Sequence, residues 1–172
     1  MQRIILLITL LACLLIFTAA CSTLPAPAAT PTMGISSPTI EQSATTANYK
    51  LKLALGDAEK MLTMDEAKTA KSGEVMVSGE MAMTMSGMSP NHHLEIQIND
   101  VRNGNLVTDK AISIQITNDA TKEVQNVPIA IMYGVAEGPS DTHYGNNVTL
   151  MPGKYTILVT VGGETATFVV NV

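Results

Sequence analysis

The chain has 172 residues, with Lys+Arg at 10 against Asp+Glu at 15, and a formal charge of -5. Nucleic acids are held by clustered Lys and Arg, whereas the basic residues after Arg3 are scattered between Lys50 and Lys154, so no nucleic-acid partner is expected. Aromatics make up 3 % of the chain and Trp is absent, which leaves Val, Ile, Leu and Met to build any core.

In chain order, Arg3 opens a mostly apolar run over residues 4–17. A bilayer-spanning helix needs about 20 such residues, so this run has the length of a signal-peptide core. The small residues Thr18-Ala19-Ala20 then lead to Cys21, a pattern that resembles the lipobox of bacterial lipoprotein precursors. Residues 1–20 are therefore expected to be a lipoprotein signal peptide, and Cys21 the lipidated residue that anchors the chain to membrane lipid on the extracytoplasmic side. Cys13 would leave with the signal and the Cys21 sulfur would carry lipid, so no free thiol remains. That removes disulfides, Cys-ligated zinc and iron–sulfur clusters from consideration. The stretch 21–48 is rich in Ser, Thr, Pro and Ala, with Glu41 its one charge, and reads as a disordered tether.

Residues 49–172 have the length of one domain. Residues 49–55 alternate as a half-buried strand, and residues 64–71 read as a helix of at most two turns. Strand patterns follow over residues 92–98, 111–118, 155–161 and 165–172, with further strands ending near Met132 and starting near Val148;. Asn103-Gly104-Asn105, Met151-Pro152-Gly153 and Gly162-Gly163 punctuate them as turns;. About seven or eight short strands in this length predict an all-β fold, an immunoglobulin-like antiparallel sandwich, with a small closed barrel as the alternative.

The three His residues lie in two places. Along residues 92–98, period two puts His92, Leu94, Ile96 and Ile98 on one face and His93, Glu95 and Gln97 on the other. His93 and Glu95 can thus converge on one site. Met81, Met83 and Met85 form a period-two row that suits either adaptable packing or a soft-ligand surface. Met88, bracketed by Gly87 and Pro90, reads as a loop residue beside the His pair and a candidate thioether ligand. The third His lies in the turn-rich stretch 138–147, which taken alone would be an ordinary surface turn.

His143-Tyr144-Gly145-Asn146-Asn147-Val148 resembles a signature of the periplasmic Fe2+ transport protein family, the metal-binding partners of ferrous iron permeases. His93-Leu94-Glu95 resembles that family's His-Leu-Glu strand. The resemblance implies an immunoglobulin-like sandwich, often dimeric, that binds copper and by inference iron through His and Met at one end. It makes His93 and His143 imidazole ligands, Glu95 a charge-tuning carboxylate and Met132 the nearest candidate for a thioether. The family's further downstream His is missing, because no His follows His143.

Neutral imidazoles and thioethers leave an ion's charge uncompensated, so a carboxylate such as Glu95 is favoured beside them. Because His binds metal only when deprotonated, affinity should fall below about pH 6.5. The expected function is a lipid-anchored extracytoplasmic metal-binding protein that handles copper or iron, with a permease as a possible partner. The alternative is a structural or adhesive sandwich with no metal site. Catalysis is not expected: the chain has no Gly-x-Ser-x-Gly elbow, His-Glu-x-x-His helix or phosphate-cradling loop.

Overall fold

The computed structural model describes residues 38–81 and 88–172. The signal segment, Cys21, Met83 and Met85 lie outside the described residues, and so does most of the stretch read as a tether. The described residues form eleven strands in chain order: β1 Pro38–Thr45, β2 Tyr49–Asp57, β3 Met61–Leu62, β4 Glu74–Gly79, β5 His92–Asp100, β6 Ile112–Asn118, β7 Val124–Asn126, β8 Ala130–Gly134, β9 His143–Val148, β10 Lys154–Val161 and β11 Glu164–Asn171. They make two sheets, ordered β1-β2-β5-β9-β8-β4-β3 and β11-β10-β6-β7. The class is the expected all-β sandwich rather than a closed barrel.

The shared core follows from period-two alternation. Leu51, Leu53 and Leu55 of β2 and Leu94, Ile96 and Ile98 of β5 face Ile114, Ile116, Ile157, Val159 and Phe168 of the second sheet in one buried cluster;. Gly162 and Gly163 both have positive φ and close a two-residue hairpin between Val161 and Glu164, the geometry that matches strand twist.

Four sequence expectations need correction. The strand count is higher, because β1, β3 and β7 are short or polar edge elements that alternation does not detect. β1 lies inside the segment read as tether and pairs along β2 from Pro38 to Thr45, so the folded part starts before residue 49. Only Ile40 and Ala44 of β1 pack against the core, which is why it reads as polar, and Gln42 Nε2 ties it to the Val169 carbonyl of the second sheet at 2.6 Å. The helix expected over residues 64–71 is the single turn α1, Met64–Ala67, closed at its start by a reciprocal capping box between Thr63 and Glu66;.

The fourth correction bears on the site. The segment containing His143, read as a turn, is the six-residue strand β9, seated between β5 and β8. Its Asn residues do not favour strands, but the buried Asn146 finds backbone partners on other segments: its Nδ2 donates to the Glu80 and Pro128 carbonyls at 2.8 and 3.0 Å. Gly145 is required for packing, because a Cβ there would stand 1.7 Å from the Leu94 carbonyl oxygen of β5.

Between β2 and β4 the chain makes an excursion, residues 58–73, that carries β3 and α1. It crosses the outer face of the seven-stranded sheet, the face turned away from the sandwich core. β3 is held to β4 by a parallel pairing of Met61 with Glu74 and Leu62 with Val75, and Leu62 is fully buried. Gly73 has φ +110, and a Cβ on it would lie 2.6 Å from the Lys60 carbonyl. The chain therefore turns into β4 at Gly73 as only glycine readily permits, and this delivers Glu74.

Candidate metal centre

Parity and register place the site. On β5 the residues between the core-facing Leu94, Ile96 and Ile98 are His93, Glu95 and Gln97, which point to the outer face. In the antiparallel pairing with β9, His93 stands opposite Asn147 and Glu95 opposite Gly145. His143 lies two residues before Gly145 on the same face of β9, and β8 places Met132 opposite His143. β4 adds Glu74, aligned with Gly134 of β8. Three strands thus aim His93, Glu95, His143 and Glu74 at one spot.

All four residues have 0 % exposure. One ligand atom from each lies within 4.8 Å of all the others. His143 Nε2 is 3.3 Å from Glu74 Oε2 and 3.9 Å from Glu95 Oε1, and His93 Nε2 is 3.8 Å from Glu95 Oε1. The two imidazoles meet edge to face with centroids 6.0 Å apart. Donor atoms on one tetrahedral ion with bonds of about 2.0–2.2 Å are spaced by roughly 3.3–3.6 Å, close to this spacing.

Hydrogen bonding fixes which nitrogen of each ring faces inward. The Asn147 amide is oriented by the cover: its Nδ2 donates to the Glu59 carbonyl at 2.7 Å and its Oδ1 accepts from the Glu59 N–H at 3.1 Å. Its Oδ1 also lies 2.9 Å from His93 Nδ1. An amide oxygen only accepts, so His93 Nδ1 carries the proton and its Nε2 faces the cluster as a lone pair. His143 Nδ1 lies 2.8 Å from the Asp141 carbonyl oxygen, which imposes the same arrangement. Support of one ring nitrogen by a carbonyl or amide is the usual way a metal-binding imidazole is oriented.

Among the described residues, the buried side-chain atoms without a hydrogen-bond partner are both oxygens of Glu74, both oxygens of Glu95, and Nε2 of His93 and of His143. A buried polar atom left unpaired costs about 1–3 kcal/mol, and more when charged. Six such atoms on four residues, with one ligand atom from each residue within 4.8 Å of the others, are therefore a donor set that fits a metal ion.

The electrostatics of the metal-free site agree. Burial pushes His93 down to about 4, against the raising influence of Glu74 and Asn147. Burial also pushes Glu95 up to about 8, opposed by His143 and reinforced by Glu74, Asp141 and Glu59. Burial acts to lower His143 as well, but the Asp141, Glu74 and Glu95 carboxylates outweigh it and raise it to about 10. In the metal-free protein His143 thus keeps its proton at neutral pH beside the carboxylates that raise it, and a cation bound here would have to displace that proton.

Of the residues singled out in the sequence, His93, Glu95 and His143 come together. Met132 is fully buried and opposite His143, so it shares their face. Met88 does not join them: it is 48 % exposed and lines a cleft with Ile116, Leu150 and Met151 on the side of the second sheet. The site also lies under the cover on the outer sheet face, not at one end of the sandwich, because His93 and His143 enter from antiparallel strands and meet diagonally across the sheet. Glu74 was not anticipated. Its local signal is slight, a carboxylate after the Ser72-Gly73 turn, and its role depends on β4 joining the sheet beyond β8.

A β-sandwich with a buried two-His, two-Glu cluster compatible with metal binding is the class these observations define. No family model matches the sequence, and no curated protein does. Solved structures that align with the chain include two of FetP. One is as-isolated FetP from a uropathogenic E. coli strain, expressed in the periplasm, at 16% identity over 76% of this chain and 92% of that one, with a TM-score of 0.49. The other is a copper-bound Glu-to-Gln variant of that FetP, at 15% identity over 76% and 93%, with a TM-score of 0.48. Among the described residues no helix is long and apolar enough to cross a membrane.

Proposed function

We propose that this chain is a lipid-anchored extracytoplasmic protein that binds copper or iron as cargo, for uptake or handling at a membrane. The observation that carries the metal reading is the set of unpartnered buried donor atoms on Glu74, His93, Glu95 and His143. A purely structural or adhesive sandwich would gain by replacing them with apolar side chains. The membrane reading rests on the sequence around Cys21, and the choice of copper or iron on the His-Leu-Glu and His-Tyr-Gly-Asn-Asn-Val motifs. A permease would be the receiving partner, and a second copy of the chain a further one. The role is carriage rather than catalysis: every donor is spent on holding the ion, and the cover leaves no open face for a substrate.

The test is a metal titration of the purified, metal-free protein followed by its melting temperature. One equivalent of Cu(II), Fe(II) or Zn(II) per chain is expected to bind. At about 100 Kd of free ion the folded state gains about 2.7 kcal/mol, a rise on the order of 10 °C for a domain of this size. His143→Ala should abolish that rise. Absence of any shift at hundredfold excess of copper and iron over protein overturns the metal reading. For the anchor, fatty-acid labelling and membrane recovery should both be lost in Cys21→Ala; a chain that partitions unchanged overturns that half of the proposal.

A further inference from the structure

We propose that the paired carboxylates Glu74 and Glu95 make this a charge-matched site for a divalent ion, and that Glu74 is the residue which sets that selectivity against monovalent copper. The inference rests on the metal-binding reading above and names the class of ion within it.

The argument is one of charge counting in a dry site. Once the ion has displaced the extra proton of His143, His93 and His143 present neutral Nε2 lone pairs, because each Nδ1–H is committed to Asn147 or to the Asp141 carbonyl. Ionised, Glu74 and Glu95 supply two negative charges with no hydrogen bond to disperse them. Each Lys or Arg ion pair among the described residues involves another acid: Glu41, Asp65, Asp100, Asp109 or Asp119. A divalent ion therefore balances Glu74 and Glu95, the two carboxylates that face it; the third buried carboxylate, Asp141, stands on the Nδ1 side of the His143 ring at 3.6 Å and accepts from the Gly134 N–H. Cu(I) would leave one buried negative charge, or require one carboxyl to stay protonated and withdraw from coordination. Uncompensated buried charge is disfavoured strongly enough that this difference decides between the ions. A thioether from Met132, on the same face, would add polarisability without charge and would not alter the balance.

Glu74 rather than Glu95 is assigned the discriminating role because it adds the second charge. With Glu95 alone, the cluster would be two imidazoles and one carboxylate, matched to a monovalent ion. Its position is built for the purpose: Gly73 turns the chain into β4, and Glu74 N–H donates to the Lys60 carbonyl at 2.9 Å, holding the residue beneath the cover.

The experiment compares the full chain with Glu74→Gln and Glu74→Asp, measuring affinity for Zn(II) and Cu(II) and, under reducing anaerobic conditions, for Cu(I), with Ag(I) as a redox-inert check. In Glu74→Gln the divalent affinities are expected to fall 100-fold or more, with monovalent affinity unchanged or raised up to tenfold. Glu74→Asp keeps the charge and should keep the preference for divalent ions even where absolute affinity drops. Circular dichroism and melting of the metal-free variants report folding, so that a loss of affinity is read only in variants that remain folded. Equal losses for mono- and divalent ions in Glu74→Gln would overturn the selectivity inference alone, as would loss of the divalent preference in Glu74→Asp. A parent chain that takes up none of these ions overturns the metal-binding reading beneath it.

Discussion

Both faces of the seven-stranded sheet bury side chains at its centre, by opposite chemistry. The inner face puts Leu51, Leu53, Leu55, Leu94, Ile96 and Ile98 against the second sheet, where apolar contact needs nothing further to be stable. The outer face, on the same strands one residue out of phase, buries His93, Glu95, His143 and Glu74 beneath a thin cover with their inward donor atoms unpaired. The first face explains why the chain folds. The second lowers the stability of the empty protein and is repaid when a cation arrives, so two energetically separate halves share one set of backbones.

The sharpest way to break that division is on the inner face. Leu53→Ala removes a fully buried side chain from the middle of β2 and is expected to cost about 3 kcal/mol in chemical denaturation of the metal-free protein. The increment added by saturating metal should be unchanged, because Ala54 and Glu95, not Leu53, occupy the outer side at that level. A variant that also lost the metal increment would show that the faces are coupled.

On the outer face, Asn147→Ala is expected to weaken divalent-ion binding about 10- to 100-fold in a competition titration, the usual effect of losing an outer support of a ligating imidazole. His93 would no longer be fixed in one tautomer, while the core residues are untouched. Unchanged affinity would mean that the ring is oriented by packing alone.

The smallest effect is in pH, and its sign distinguishes the empty from the loaded site. In the metal-free protein Glu95 is raised to about 8 and His143 to about 10, so above pH 6.5 the folded state holds more protons than the unfolded one. Stability should therefore fall as pH rises from 6.5 to 8. His93, lowered to about 4, acts in the opposite direction: its contribution is lost as pH falls from 6.5 to 4. Over most of that lower window it offsets Glu95, so urea melts should show a plateau at mildly acid pH. Metal affinity should rise across the same 6.5 to 8 interval, since the ion displaces those protons. Parallel trends for stability and affinity would break the comparison.

What could be read from the sequence was whatever depends on period two within a single strand. The convergence of His93 with Glu95 and the separation of His92 onto the other face both follow from alternation alone, as do the long core strands and the Gly162-Gly163 hairpin. What could not be read depends on partners distant in the chain. β1 carries few apolar side chains because an edge strand buries little. β9 reads as a turn because Gly145 and its two Asn residues suit this position only through Leu94, Pro128 and Glu59, which lie on other segments. Glu74 has no motif at all; it becomes a member of the cluster only through the order of strands. Met88 shows the converse error, being near His92 and His93 in sequence and directed elsewhere in space.

The Asn147 side chain joins two parts that could have been independent: it clasps the backbone of residue 59 and steadies the ring of residue 93 with the same oxygen. Lifting the cover therefore slackens a ligand at the moment a path to solvent appears. An ion held there would be enclosed for as long as residue 59 stays clasped, and its release would be tied to the opening of that one contact.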